Sequence, residues 1–250
     1  MSIAILTFCV GADYTKAVEP GLNSKREYAK KHGYNLHIGG EDVWDRKRPI
    51  PWSKIQFILK YIDQYDYIFW SDADVIILNQ DIRLETQVLP LLPKEKNLVW
   101  TYDACGHYNN GNMLIRGKTP WSKDFLERSY QQTDLIYHIW WDNAAMIKLW
   151  ETNPSDKAKI ETCKEHWLFN SYTFGPKNTA NDTSTRLYKP GDFLLHFAGV
   201  YEPWNIYRMM KYFLSKANTN RTPSIEVLDS WRNQPPKDKQ AAEHSLSMIQ

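Results

Sequence analysis

Apolar residues dominate positions 3–10, a stretch of the length expected for one strand buried on both faces. Ser24-Lys-Arg-Glu27 has capping-box spacing, in which Ser24 and Glu27 satisfy each other's open N–H groups. It predicts a helix that opens there and stops near Gly33, with a second strand at 35–38. Ser53-Lys-Ile-Gln56 repeats the pattern just after Pro51, and Ile55, Ile58, Leu59 and Ile62 continue at helical spacing. Residues 67–70 and 75–78 are β-rich and flank Ser71-Asp-Ala-Asp74. Further strands are predicted at 98–102, 113–115 and 193–197, and helices at 122 to about 132, 142–150 and 206–214. Strands that alternate with helices predict an α/β sandwich with a largely parallel sheet. From Asn233 the chain turns polar around Pro235-Pro236, which divides it into a domain over 1–232 and a tail over 233–250.

Composition narrows the function classes. The 250 residues carry 31 Lys+Arg against 29 Asp+Glu, a balance that argues against a nucleic-acid partner. No apolar run is long enough for a transmembrane segment. The three cysteines have no paired spacing, so neither a disulfide framework nor a zinc site is expected. Aromatic residues reach 14%, with 11 Trp and 15 Tyr. Such rings suit stacking on sugars as well as core packing. With no leader or anchor ahead of a strand that starts two residues after Met1, the chain reads as complete and cytoplasmic, of bacterial or viral type. The alternative is a luminal fragment of an anchored Golgi-type enzyme.

Four places hold candidate chemistry. Asp72 and Asp74 stand two apart between apolar strands, so an extended chain projects both to one side. At the carboxyl edge of a sheet such a pair can hold a divalent cation and a nucleotide, although a lone Asp-x-Asp also suits a polar turn. His196, inside an apolar strand, is either a hydrogen-bonded core residue or a ligand. With Asp72 and Asp74 it would make a mixed oxygen and nitrogen set that favours Mn²⁺ over Mg²⁺. Tyr108-Asn109-Asn110-Gly111-Asn112 reads as a turn before a strand, or as a place where backbone approaches a ligand closely. Asp142, in Trp140-Trp141-Asp142-Asn143, reads as a helix N-cap, or with Asn143 as a carboxylate and amide facing a sugar.

Taken in order, these segments resemble glycosyltransferase family 34, retaining galactosyl-, xylosyl- and mannosyltransferases of the GT-A fold. The resemblance rests on Glu27-Tyr-Ala-Lys-Lys-His-Gly-Tyr34, Trp52-Ser-Lys-Ile55, Phe69-Trp-Ser-Asp72-Ala-Asp74 and Asn109-Asn-Gly-Asn-Met-Leu-Ile-Arg116. It continues through Trp121-Ser-Lys-Asp-Phe125, Asp142-Asn-Ala-Ala145, Asn170-Ser-Tyr172 and Gly191-Asp-Phe-Leu-Leu-His-Phe-Ala-Gly199. It implies a GT-A-type single domain with a Rossmann-like, mixed but mostly parallel sheet flanked by helices. It implies a sugar-nucleotide donor, UDP-sugar favoured, and a glycan or glycoconjugate acceptor. Metal ligands would be Asp72, Asp74 and His196, holding Mn²⁺ with Mg²⁺ as second choice. Donor contacts would be Asp72, Lys54, Asn109, Gly111 and Gly199, and the residues beside the reacting sugar Asp142 and Asn143. The family more often has Gln at the position of Asn143 and Lys at that of Tyr201. Trp140, Trp141, Tyr201 and Trp204 are the candidates for an acceptor platform, whereas Trp52, Trp70 and Trp121 are expected to pack. Front-face substitution is favoured over a covalent route through Asp142. The rival readings are a metal-dependent nucleotidyltransferase and a non-catalytic carbohydrate-binding protein.

Overall fold

The apolar N-terminal run forms strand β1 (Ile3–Phe8), every residue of which is buried. The computed structural model describes residues 1–103, 106–172, 187–200 and 202–217; the expected tail, Cys105 and Tyr201 lie outside them. After β1 come α1 (Ala12–His32), β2 (Asn35–Gly39), α2 (Ser53–Tyr61), β3 (Tyr67–Ser71) and β4 (Val75–Ile77). The chain continues through β5 (Leu98–Tyr102), β6 (Tyr108–Arg116), α3 (Pro120–Tyr130), α4 (Trp141–Thr152) and α5 (Pro154–Lys159). It finishes with β7 (Ile160–Thr162), α6 (His166–Phe169), β8 (Ser171–Tyr172), β9 (Leu194–His196) and α7 (Pro203–Lys216).

The main sheet has the order β2-β1-β3-β6-β5-β7 and a smaller one the order β4-β9-β8. The pairings β1–β2, β1–β3 and β5–β7 are parallel, while β6 runs against both of its neighbours. The two-residue side-chain period sorts β1 between two cores. Ala4, Leu6 and Phe8 face a layer that includes Trp52, Ile55 and Ile58 of the α2 segment, with Phe125 and Met146. Ile3 and Ile5 face Tyr28, Val75, Ile77, Phe169 and Leu194, so the small sheet lies under the opposite face. Among the described residues no helix is long and apolar enough to cross a membrane.

Neither expected capping box forms, and one helix start differs from the expectation. Helix α1 begins twelve residues before Ser24 and runs through Pro20, ending at Gly33 in the left-handed conformation (φ 74°). Ser24 is therefore mid-helix, where its hydroxyl donates to Gly21 O (2.8 Å) and accepts from Ile77 N–H (3.0 Å), tethering α1 to β4. Helix α2 does start at Ser53, but a 3-10 turn over Ile50–Trp52 leads into it. The Ser53 hydroxyl accepts from Asp45 N–H (3.0 Å) instead of closing a capping box. In both cases a long-range partner takes the hydroxyl that local spacing assigned to a cap.

Gly21 shows how closely α1 lies against the Asp-x-Asp segment. A Cβ there would stand 2.6 Å from Ala73 O and 2.8 Å from Val75 O, both backbone atoms with nowhere to go. Gly21→Ala is expected to lower the melting temperature by roughly 3–10 °C, an overpacking cost of about 1–3 kcal/mol in a chain of this size. Thermal denaturation followed by circular dichroism checks it, and an unchanged midpoint contradicts the close packing.

Candidate active site

Two antiparallel pairings converge on the acid pair. Strand β3 ends with Ser71 opposite Asn112 of β6, and Asp72 N–H donates to Gly111 O at 2.7 Å. Val75 N–H then donates to Asp72 O (3.2 Å), closing a tight turn that turns the chain out of the main sheet. Strand β4 pairs with β9 so that Val75 faces His196, and Phe197 N–H donates to Asp74 O at 3.0 Å. Asp72, Asp74 and His196 thus each offer a ligand atom, all within 4.8 Å of one another.

These side chains are graded from the interior outward, at 3% exposure for His196, 16% for Asp74 and 28% for Asp72. His196 Nε2 lies 3.3 Å from Asp74 Oδ1. Burial works against the Asp74 carboxylate, yet the adjacent His196 and the charge of Lys25 hold its pKa below the ordinary value. The ring of His196 requires Gly111, because a Cβ at that position would stand 2.3 Å from His196 Cε1. Two carboxylates of one turn and an imidazole from β9 fit a divalent cation of the Mn²⁺ type.

A second cluster adjoins the first. Lys54, on α2, is buried with its ammonium 3.1 Å from Asp72 Oδ1 and 3.6 Å from Asp142 Oδ2. It donates to Asn110 Oδ1 (2.9 Å), and Asn110 Nδ2 donates to Asp142 Oδ2 (2.6 Å). Burial lowers the affinity of Lys54 for its proton, but Asp142 and Asp72 outweigh it and the pKa lies above the usual lysine value. Asp142, 2% exposed, is pushed the other way: burial raises its pKa despite the pull of Lys54. Asp142 is not the N-cap. Trp140 holds that position, and Trp141 enters α4 with φ 44°, a left-handed conformation costly for a bulky residue. That entry turns Asp142 inward. Asn143 accepts from Asn110 N–H (3.1 Å) and donates to Tyr108 O (2.9 Å), which ties the start of α4 to β6.

The expected turn at Asn109–Gly111 is part of β6 instead, which starts at Tyr108. The β5–β6 register shifts between Val99 and Thr101, and beyond that irregularity β6 stays paired to Thr101 and Tyr102 of β5 while it runs past the end of β3 at the site. Asn109 Oδ1 accepts from Gly111 N–H at 2.8 Å. Gly199 adopts φ 76° in the loop after β9, at the turn closed by Val200 N–H and Phe197 O.

Sequence reasoning missed several residues. Lys25 is fully buried on α1 and donates to Val75 O at 2.5 Å, directly behind the acid turn. Burial pushes its pKa down to about 7 against the opposing pull of Asp74 and Asp72. A lysine three residues from both Leu22 and Tyr28, on the buried stripe of α1, was the available signal. The Tyr14 phenol has its pKa raised by burial and then by the charges of Asp74 and Asp72. Trp70 is packed as expected, but its indole N–H also donates to Asp72 Oδ1 (2.7 Å). Of the platform candidates, Trp140 is 38% exposed and meets the His107 ring at 4.5 Å. Trp141 is partly buried against the core, and Trp204 stacks on Tyr207 at 5.9 Å.

A sequence signature of the galactosyl transferase GMA12/MNN10 family, glycosyltransferase family 34, matches residues 9–99, which include α1, α2, β3 and the acid turn. Over that stretch the chain is similar to this family. Among similar proteins, the probable alpha-1,6-mannosyltransferase MNN10 of Saccharomyces cerevisiae is 24% identical over 196 residues, 64% of this chain and 46% of that protein. An uncharacterized alpha-1,2-galactosyltransferase of Schizosaccharomyces pombe is 30% identical over 74 residues, 27% of this chain and 20% of that protein. The chain therefore spans less than half the length of these relatives. The fold is the α/β GT-A type. A glycosyltransferase involved in glycosylation of the major capsid of PBCV-1 superposes with TM-score 0.64 at 12% identity, over 85% of this chain and all of that one. The galactosyltransferase LgtC, solved with donor and acceptor sugar analogs, gives TM-score 0.52 at 12% identity over 96% and 99% of the two chains.

Proposed function

We propose that this chain is a divalent-cation-dependent glycosyltransferase that moves a hexose or pentose from a sugar nucleotide, UDP-sugar favoured, to a hydroxyl of a glycan or glycoconjugate, with retention at the anomeric carbon. The observation that carries the proposal is the convergence of Asp72, Asp74 and His196 beside the Lys54–Asp142 pair, at the end of β3. The similarity of residues 9–99 to family 34 supports the reaction class, and relatives named for mannose and galactose transfer favour a hexose.

Departure of a nucleoside diphosphate concentrates negative charge on its phosphate oxygens while the sugar becomes oxocarbenium-like. A cation held by Asp72, Asp74 and His196 would supply Lewis-acid stabilisation of that leaving charge. Asp72, the most exposed of the three, also meets Lys54, whose fixed positive charge adds to the field at that end of the site. The rigid Lys54–Asn110–Asp142 chain holds one carboxylate on the sugar side, where it favours developing positive charge. Because Asp142 is paired and bonded, front-face substitution is the preferred route, with a leaving-phosphate oxygen taking the acceptor proton. Asn143 acts through the backbone of β6, fixing where Asp142 enters. Asn109, Gly111 and Gly199 would contact the donor, and Trp140, Trp141, Tyr201 and Trp204 are the candidates for stacking on the acceptor.

A panel of sugar nucleotides incubated with Mn²⁺ tests the reading. Release of nucleoside diphosphate, abolished by chelation, is the expected result. Pyrophosphate release would make the protein a nucleotidyltransferase, and glycan binding with no cation or nucleotide requirement would make it a carbohydrate-binding protein. NMR of the product's anomeric signal reports retention or inversion.

A further inference from the structure

One hydrogen-bond chain behind the acid turn can be oriented from a single backbone amide. Gly111 N–H can only donate, so the side-chain atom of Asn109 that meets it at 2.8 Å is the carbonyl oxygen. That oxygen also faces one end of the Asn170 amide at 3.0 Å, so that end must be the NH₂ group. The opposite end of the Asn170 amide is then the oxygen, and it lies 2.9 Å from His196 Nδ1. Asn112 Nδ2 donates to the same oxygen at 3.1 Å, and the Tyr172 hydroxyl accepts at the NH₂ end, both consistent with this sense. Asn170 and Asn112 are fully buried, so no solvent competes for these bonds.

We infer that Asn170, oriented through Asn109 by the Gly111 amide, is a positioning residue that sets the tautomer of His196, keeping its proton on Nδ1 and its Nε2 lone pair turned toward Asp74 and the cation. The strands supply the geometry, since β8 pairs with β9 in a register that sets Tyr172 beside His196. Held this way, Nε2 stands 3.3 Å from Asp74 Oδ1, a spacing at which the two atoms can share one cation; with no cation between them an Nε2–H meets the carboxylate instead, the contact that lowers the Asp74 pKa. Gly111 serves twice: its N–H orients the chain of amides, and its missing side chain admits the ring they hold. Outer bonds of this kind orient a ligating imidazole and raise its basicity.

The inference rests on the cation reading of the proposed function, and two readouts separate their failures. Calorimetric titration with Mn²⁺ alone is expected to show about 10–100-fold weaker binding for Asn170→Ala than for the unmodified chain. Asn170→Asp keeps an acceptor at Nδ1 and is expected to stay within a few-fold of the unmodified chain. A purely structural role gives the reverse order, because a buried carboxylate disturbs packing more than a small void does. Asn109→Ala, at the partly exposed link, weakens binding less than Asn170→Ala and covers the case in which that variant fails to fold. Nitrogen-15 NMR of the histidine-labelled chain reads the tautomer directly and needs no metal. A neutral His196 ring protonated at Nε2, or equal Mn²⁺ affinity for Asn170→Ala and the unmodified chain, overturns the inference. If the ring is protonated at Nδ1 but the unmodified chain binds no Mn²⁺, the tautomer assignment stands and the cation reading falls.

Discussion

Asp74→Asn is expected to reduce sugar transfer by about 10³-fold or more and to abolish saturable Mn²⁺ binding, with the fold intact. Asparagine keeps the volume of the side chain, and the bond from Phe197 N–H goes to the backbone carbonyl of residue 74, so β4 and β9 stay paired. What disappears is the anionic ligand nearest His196, within a cluster whose atoms span no more than 4.8 Å. Metal-ion stabilisation of a leaving group amounts to several kcal/mol, and each ~1.4 kcal/mol is tenfold in rate. Kinetics with the best donor of the panel, together with calorimetry and a thermal melt, measure all three quantities. Cation-dependent transfer at the unmodified rate would remove the Asp72–Asp74–His196 cluster from the mechanism.

The largest loss of stability is expected from Lys54→Met. Lys54 has a side chain only 6% exposed and stands between Asp72 and Asp142, the latter 3% exposed. Removing one member of a buried charge pair costs about 3–5 kcal/mol, because the partner is left without compensation. For a chain of this length that lowers the melting temperature by on the order of 10 °C. The deficit should depend on pH. The Asp142 carboxyl already titrates above the ordinary aspartate range because it is buried, and losing Lys54 raises it further. A carboxyl whose folded pKa exceeds its unfolded value destabilises the fold when ionised, and that penalty disappears as pH falls through the folded pKa. The gap between Lys54→Met and the unmodified chain is therefore widest near neutral pH and narrows toward acid. Adding Asp142→Asn to Lys54→Met should recover most of the stability at neutral pH; a deficit that ignores both pH and Asp142 would mean that Lys54 matters only through packing.

The parts of this molecule legible in its sequence are those whose cause is local. β1 and β3 declare themselves by unbroken apolar runs, α2 by its helical spacing, and the acid turn by two carboxylates between strands. The true start of α1 is not legible, because Pro20 and Gly21 look like breaks until Gly21 is seen against Ala73 and Val75. Tertiary packing there overrides propensity. The same distance effect hid the supporting residues of the site. Asn110 looked like turn chemistry, and its place between Lys54 and Asp142 depends on α2, β6 and α4 meeting. Asn170 belonged to a recognisable block, but its contact with His196 exists only once β8 lies beside β9. Asp142 reads as a cap because spacing cannot register the left-handed φ of Trp141 that swings it inward.

The departure of β4 into a separate sheet has a thermodynamic consequence. The acids lie at the junction where the chain leaves the main sheet, whereas His196 is far along the sequence on the central strand of the small one. An ion gripped by all three would act as a clasp across a long closed loop, the geometry in which a cross-link removes most freedom from the unfolded chain. Occupancy and folding are then linked, with about 2.7 kcal/mol of added stability at a cation concentration 100 times its Kd. The melting temperature of this protein would thus be a function of the divalent cation in its buffer, and variants are comparable only at matched free cation.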